Sequence, residues 1–307
     1  MKILLQFPRG DVGEWLLGLR AAFPGAAIAV WPDEMPTPEY ALVWNPPAEI
    51  FTVVRPVKAI FNLGAGVDRL LTLPTLPAQV PVIRLEDAGM AEQMVDYVTL
   101  AVLGAYRESD VYAQQQRAAE WRPRPRIDKS TFGVGILGFG VLGRAVAKAL
   151  ASFGFPILAW SRSGKEAPEV TSFAGRAELP GFLARSRVLA CLLPSTPETV
   201  GLLDRHTLEL LPRGAHLVNV ARGSILVEED LLLLLDRGHL GGATLDVFRT
   251  EPLPFDHPFW HHPRITVTPH ISAVTLVKDS IAQIVTKIRG LERGEAVTGI
   301  VDRARGY

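Results

Sequence analysis

Cysteine is almost absent from this sequence, with Cys191 alone among 307 residues. That excludes a disulfide framework and a cysteine-built metal site. Cys191 lies in the apolar run Val188-Leu189-Ala190-Cys191-Leu192-Leu193 and reads as a small buried hydrophobe. Net charge is missing too: Lys and Arg total 32, and Asp and Glu total 32. No field of one sign recommends nucleic acid or an anionic membrane as partner, which leaves a small molecule. No apolar run is long enough to span a bilayer. The leucine run Leu231 to Leu235 is flanked by Glu228, Glu229, Asp230, Asp236 and Arg237. The opening Met1-Lys2-Ile3-Leu4-Leu5-Gln6-Phe7-Pro8-Arg9 is strand-like, is broken by proline, and lacks the apolar stretch and cleavage site of a signal peptide. A cytoplasmic address follows by default. Solenoid repeats and low-complexity segments are also lacking.

What is present is apolar character in short runs, 48% of the chain being hydrophobic, enough for two domains with separate cores. Lys2 to Phe7, Ala26 to Trp31, Tyr40 to Trp44, Ala59 to Leu63 and Val82 to Leu85 read as strands alternating with amphipathic stretches or loops. This alternation predicts a small parallel sheet flanked by helices. A single long connecting helix is predicted from Ala91 to about Ala119, ended by Trp121-Arg122-Pro123-Arg124-Pro125-Arg126. Six further strands are predicted near Thr131 to Leu137, Pro156 to Trp160, Val188 to Leu192, His216 to Asn219, Gly242 to Asp246 and Arg264 to Val267. They suit a doubly wound sheet. An amphipathic stretch from about Thr275 to Leu291 is expected to return to the first domain, making it discontinuous.

Gly138-Phe139-Gly140-Val141-Leu142-Gly143 follows the strand Val134-Gly135-Ile136-Leu137 and opens a helical stretch, the context a dinucleotide fingerprint needs. Gly138 permits the tight turn. Gly140 lets the backbone approach a pyrophosphate at the helix N-terminus, where Val141 and Leu142 begin the helix, and Gly143 lets helix and strand pack closely. About 20 residues on, where an NAD site carries an acidic residue, the chain reads Trp160-Ser161-Arg162-Ser163-Gly164-Lys165. Hydroxyls at Ser161 and Ser163, the Arg162 fork and the Lys165 charge suit a 2′-phosphate, so NADPH is preferred, with NADH possible. Gly164 interrupts the basic cluster, and a solvated basic loop is the alternative reading.

Three later segments each place a polar residue just after a predicted strand: Arg222 after Val218-Asn219-Val220-Ala221, Glu251 after Leu245-Asp246-Val247-Phe248, and His270 after Thr266-Val267-Thr268-Pro269. Singly, these are a surface cation, a loop carboxylate and a turn residue. Together, beyond the carboxyl ends of strands, they converge on the ligand crevice of an open α/β sheet.

At these residues the sequence resembles the D-2-hydroxyacid dehydrogenase family along its whole length. Within the family it is most similar to the glyoxylate/hydroxypyruvate reductase A branch. That likeness runs through Ala41-Leu42-Val43-Trp44-Asn45-Pro46-Pro47, Leu63-Gly64-Ala65-Gly66-Val67-Asp68, Arg84-Leu85-Glu86-Asp87 and the closing Val301-Asp302-Arg303-Ala304-Arg305-Gly306-Tyr307.

The resemblance implies a Rossmann nucleotide-binding domain, residues 98–269, inserted in a flavodoxin-like substrate domain made of 1–97 and 270–307. It also implies NADPH-dependent reduction of glyoxylate and hydroxypyruvate to glycolate and D-glycerate, without a metal and in a homodimer. His270 would give the proton as general acid, Glu251 would orient the imidazole and favour its protonated form, and Arg222 would bind the substrate carboxylate and polarise the carbonyl. The backbone N–H groups of Ala65, Gly66 and Val67 would grip the carboxylate. Trp44 would close over the substrate or plug the core. Leu193, Pro194, Thr199 (beginning a helix), Val220 and Ala221 would line the cofactor, with Asp246 and Ser272 against the nicotinamide. A bulkier 2-oxo acid remains open as substrate, as does a nucleotide-sensing protein on the same fold.

Overall fold

The computed structural model describes residues 1–7 and 12–307; the expected break at Pro8 lies outside the described residues. In chain order the elements are β1 (Lys2–Gln6), α1 (Val12–Ala22), β2 (Ala27–Val30), β3 (Tyr40–Val43), α2 (Ile50–Val53), β4 (Ala59–Asn62), α3 (Asp68–Leu71), β5 (Val82–Arg84), α4 (Met90–Tyr106) and α5 (Ser109–Arg117). There follow β6 (Val134–Leu137), α6 (Val141–Ser152), β7 (Ile157–Ser161), β8 (Val170–Ala174), α7 (Gly175–Leu183), β9 (Val188–Cys191), α8 (Arg205–Leu208), β10 (Ala215–Asn219), α9 (Glu228–Asp236), β11 (Leu240–Leu245), β12 (Ile265–Val267) and α10 (Val277–Glu292). Two compact units result, one of Met1–Met90 with Val274–Tyr307 and one of Ala91–Ala273. Among the described residues no helix is long and apolar enough to cross a membrane.

The first unit holds a five-stranded parallel sheet in the order β2-β1-β3-β4-β5. Successive strand residues alternate between two apolar layers. Ile3, Leu5, Leu42 and Phe61 join Trp15, Leu19, Ile284 and Ile288 on one face, while Leu4, Ala41, Val43 and Ile60 join Ile50, Phe51 and Leu70 on the other. The amphipathic return segment is thus α10, packed by Ile284 and Ile288 over the same layer as α1. Beyond it, Ile300 bridges antiparallel to Ile83, tying the C-terminal segment to β5.

The second unit holds a seven-stranded parallel sheet in the order β12-β11-β10-β9-β6-β7-β8. Both faces are again buried, which is why these strands read as continuous apolar runs rather than alternating ones. Leu137, Leu158, Leu189, Cys191 and Leu217 face one layer, and Val134, Ile136, Ala159, Ala190 and Val218 face the other. Burial pushes the Cys191 thiol up to about 12, as befits an inert core residue. The order reverses between β6 and β9, the topological switch point where this class of sheet binds nucleotides.

Two expectations need correction. The sheet has a seventh strand, β8, whose Val-Thr-Ser-Phe-Ala sequence is only partly buried at the sheet edge and so carries no apolar run. The long connecting helix is two helices. It breaks at Glu108, which takes φ 52°, a left-handed conformation that stops α4 and starts α5 without glycine or proline to announce it.

β10 also carries a titratable group inside the sheet. His216 is paired in register with Gly242, where a Cβ would lie 2.9 Å from the imidazole Nδ1, so the missing side chain makes room for the ring. Nε2 lies 2.9 Å from Thr244 Oγ1. Burial pushes His216 down from its ordinary 6.5 to about 4. As pH falls below 6.5 the unfolded chain therefore takes up a proton that the folded chain refuses until about pH 4. Stability present above that window is lost within it, by at most about 2 kcal/mol between pH 7 and pH 5. Denaturant unfolding at the two pH values should show this loss in the wild type and a smaller one in His216→Gln; equal losses would assign the effect elsewhere.

Candidate active site and nucleotide-binding turn

After β6 the chain has three residues, Gly138 to Gly140, before α6 begins at Val141. Gly138 takes φ 112°, and a Cβ there would lie 2.8 Å from the Leu192 carbonyl carbon on the strand-end loop alongside. A Cβ on Gly143 would collide with the Gly138 carbonyl oxygen. Gly140 differs, because nothing lies within 4 Å of a Cβ built on it. It is exposed, it is the N-cap of the 12-residue α6, and no side chain caps the helix. The first-turn N–H groups of α6 are thus left for an outside acceptor, and no acidic side chain stands in that turn. This cradle fits a pyrophosphate. Exposed Val141 and partly buried Leu142 follow at its rim.

Next to this turn, β7 ends at the nearly buried Ser161, and Arg162, Ser163 and Lys165 are exposed beyond it. Arg162 Nη1 lies 3.6 Å from a carboxylate oxygen of the exposed Glu198. The Lys165 carbonyl accepts from Ser172 Oγ at 2.8 Å, holding the loop to β8. No acidic side chain falls between Ser161 and Lys165.

Leu193 and Pro194 follow β9, with Leu193 buried. Thr199 does not begin a helix; α8 begins at Arg205, where the Asp204 carboxylate accepts from Thr207 N–H at 2.8 Å. The Thr199 hydroxyl instead closes a turn, donating to the Pro194 carbonyl at 2.7 Å and accepting from Thr196 N–H at 2.8 Å. Gly201, at φ 66°, then turns the chain away.

Arg222 follows β10 and the buried Val220 and Ala221. Its Nη1 donates to the Ala221 carbonyl at 2.7 Å. The next residue, Gly223, tolerates no side chain, since a Cβ there would collide with the Phe248 carbonyl carbon. That close approach sets the Arg222 loop against the segment leading to Glu251. Phe248 N–H donates to Glu251 Oε1 at 3.0 Å, and Glu251 Oε2 lies 2.8 Å from His270 Nδ1. The tertiary fold thereby brings three sequence-distant segments of one unit together.

His270 itself takes φ 55°. Asp246, with no exposed surface, lies behind it: Oδ1 accepts from Thr268 Oγ1 at 2.6 Å and from Ile271 N–H at 2.8 Å, while Oδ2 accepts from Ser272 N–H at 2.8 Å. Ser272 is buried. Thr268 and Tyr97, whose oxygens lie 2.6 Å apart, belong to the same cluster but escaped the sequence reading. Only Thr268's place, two residues before His270, could have suggested it. Among the described residues no group of three or more His, Cys, Asp or Glu side chains is placed to hold a metal.

The first unit contributes a separate feature. Asn62, at the end of β4, donates through Nδ2 to the carbonyls of Gly64 and Gly66 at 2.8 and 2.9 Å. Those carbonyls are turned inward, and the N–H groups of Ala65, Gly66 and Val67 have no acceptor among the described residues. Such a run of donors suits an anion. Trp44 is partly buried with its ring where a Cβ of Gly64 would fall, so a larger residue there would dislodge the indole.

A doubly wound parallel sheet with an uncapped glycine turn, and a His–carboxylate pair beyond its strand ends, is the arrangement a dinucleotide-binding enzyme needs. Residues 99–272 match the sequence profile of the D-isomer specific 2-hydroxyacid dehydrogenase NAD binding domain. Solved structures align over nearly the whole chain. A D-isomer specific 2-hydroxyacid dehydrogenase from Xanthobacter autotrophicus Py2, in complex with NADPH and MES, is 40% identical with a TM-score of 0.94, over 99% of both chains. An NADPH-dependent glyoxylate/hydroxypyruvate reductase from Sinorhizobium meliloti, in complex with NADP and sulfate, is 33% identical with a TM-score of 0.93, over 100% of this chain and 99% of that one. A probable 2-hydroxyacid dehydrogenase from Rhizobium etli CFN 42, in complex with NADP, HEPES and L(+)-tartaric acid, is 32% identical with a TM-score of 0.91, over 100% and 99%. This chain belongs to the D-isomer specific 2-hydroxyacid dehydrogenase family.

The glycine turn can be tested directly. Gly143→Ala should weaken NADPH binding at least about ten-fold in a fluorescence titration, because the turn must open to admit the methyl group. The circular dichroism spectrum should stay native. Undiminished affinity would show that the turn does not hold the nucleotide.

Proposed function

We propose that this protein reduces glyoxylate and hydroxypyruvate to glycolate and D-glycerate, with NADPH preferred and NADH accepted. The observation that carries this reading is the 2.8 Å pairing of His270 Nδ1 with Glu251 in the same unit as the glycine turn. The substrate class is supported by the Sinorhizobium meliloti reductase at 33% identity. The cofactor preference is supported by the NADPH and NADP complexes of the relatives and by Arg162 where an acidic residue would repel a 2′-phosphate.

When bound, a reduced nicotinamide supplies the hydride. Reduction of a ketone or aldehyde puts negative charge on the carbonyl oxygen, and the side chains must meet it as it develops. Glu251 takes the Nδ1 side of His270, which leaves Nε2 to carry the proton to that oxygen. Imidazole suits the task because its ordinary titration lies nearest neutral pH. The Arg222 guanidinium offers a planar fork for the carboxylate and a positive charge to polarise the carbonyl. The Ala65, Gly66 and Val67 N–H groups are suited to the same class of anion. Arg162, Ser161, Ser163 and Lys165 would bind the 2′-phosphate, with Arg162 exchanging its contact with Glu198 for the phosphate.

Oxidation of NADPH and NADH should be followed with glyoxylate, hydroxypyruvate, pyruvate and phenylpyruvate. The two small acids should turn over fastest, and His270→Ala should lower kcat by about 100-fold or more. Equal inactivity of wild type and variant on all four acids would sink the reductase reading, and preference for phenylpyruvate would move the substrate to bulkier acids. Arg162→Ala should raise KM for NADPH at least about ten-fold and KM for NADH far less. Equal effects on both cofactors would remove Arg162 from the 2′-phosphate.

A further inference from the structure

The turn that presents His270 is held in an unusual way. Pro269, His270 and Ile271 are all exposed, so no apolar burial fixes their conformation. His270 nevertheless takes φ 55°, a conformation unfavourable for a residue with a Cβ, which persists where the surroundings over-determine it. The restraint is polar, and it comes from Asp246.

Strand register puts the partners together. Leu245 is paired with Val267 in the β11–β12 ladder, so Asp246 and Thr268 stand opposite one another one residue further on. Thr268 N–H donates to the Leu245 carbonyl at 3.0 Å, which continues the ladder to the start of the turn. The Asp246 carboxylate then gathers three donors from a stretch of five residues: Thr268 Oγ1, Ile271 N–H and Ser272 N–H. His270 lies between them with its own N–H donating to the Thr268 carbonyl at 3.0 Å.

The chain of hydroxyls behind Asp246 has one direction. A carboxylate only accepts, so the Thr268 proton goes to Asp246, and the Tyr97 proton must go to Thr268 Oγ1. Tyr97 remains a donor throughout the neutral range, since burial pushes its phenol up to about 12. It comes from α4, whose Met94, Val98 and Val102 are buried in the same layer as Val134, Ile136 and Val218 of the sheet. The phenol is therefore anchored to the rigid core of the second unit, and the relay Tyr97→Thr268→Asp246 carries that rigidity to a surface turn.

We propose that Tyr97 and Thr268 are positioning residues which, through the buried Asp246 carboxylate, lock the Thr268–Ser272 turn in the left-handed conformation that presents His270. The assignment rests on the reading of His270 as the proton donor. Neither residue reaches the reacting atoms; both act by fixing where the imidazole stands relative to Glu251. Displacements on the order of 1 Å at such a group cost about 100-fold in rate, so the lock matters more for turnover than for binding.

The test uses the near-isosteric variants Thr268→Val and Tyr97→Phe, with Thr268→Ser as the conservative restoration. Hydrogen exchange at Ile271 and Ser272 reads the lock without substrate: both amides should exchange at least about ten-fold faster in Thr268→Val and return toward wild type in Thr268→Ser. In steady-state kinetics with glyoxylate, Thr268→Val should lower kcat about 10- to 100-fold while KM for NADPH changes less than about two-fold. Tyr97→Phe should follow with a smaller loss, and Thr268→Ser should recover most of the rate. Unchanged exchange in both near-isosteric variants would overturn the lock. Faster exchange with full turnover would overturn its role in presenting His270. A wild-type enzyme idle on every 2-oxo acid would instead remove the reductase reading, with the exchange result still deciding whether the lock exists.

Discussion

The Asp246 carboxylate has no exposed surface, and the segment from Thr268 to Ser272 takes its shape from it. A buried charge is tolerated only when its lone pairs are met by donors. Here the donors come from the turn that carries His270, so satisfying the charge and shaping the turn are one event. The same backbone stretch brings His270 Nδ1 to Glu251, and Glu251 is itself held by the Phe248 N–H. Gly223, pressed against Phe248, sets the Arg222 loop beside that segment. The arrangement of the three polar residues thus depends on close backbone approaches as much as on the residues themselves.

Buried parallel sheets explain why these groups lie where they do. With both faces covered by apolar layers, the strands of the second unit have little room for polar side chains along their length. Polar chemistry is displaced to the strand ends, and Arg222, Glu251 and His270 all occupy loops after β10, β11 and β12. The nucleotide turn follows β6 for the same reason, at the point where strand order reverses. His216 is an exception, housed inside the sheet by the missing side chain of Gly242.

Much of this was legible in the residues. The six apolar runs of the second unit read as strands because burial on both faces makes them continuous, and Gly138 to Gly143 read as a nucleotide turn because the glycines fall at the fingerprint's spacing between a strand and a helix. β8 was illegible because an edge strand covered on one side needs no apolar run, and Val170 to Ala174 has none. The break at Glu108 left no signal, since the left-handed residue there is neither glycine nor asparagine. Thr199 was expected to begin a helix, and its hydroxyl closes a turn instead.

What the sequence by itself determined was local: the alternation that makes two parallel sheets, the glycine turn, the lack of an acidic residue after β7, and the polar residues after strands. These properties follow from side-chain size, charge and periodicity within a few neighbouring positions. Only the tertiary structure decided which distant groups meet. Tyr97 reaches Thr268 across 171 residues, and Asp246 meets Thr268 through the register of two strands. Register and helix packing are settled by the whole core at once, so no local pattern announces that a buried carboxylate will hold the turn on which His270 stands.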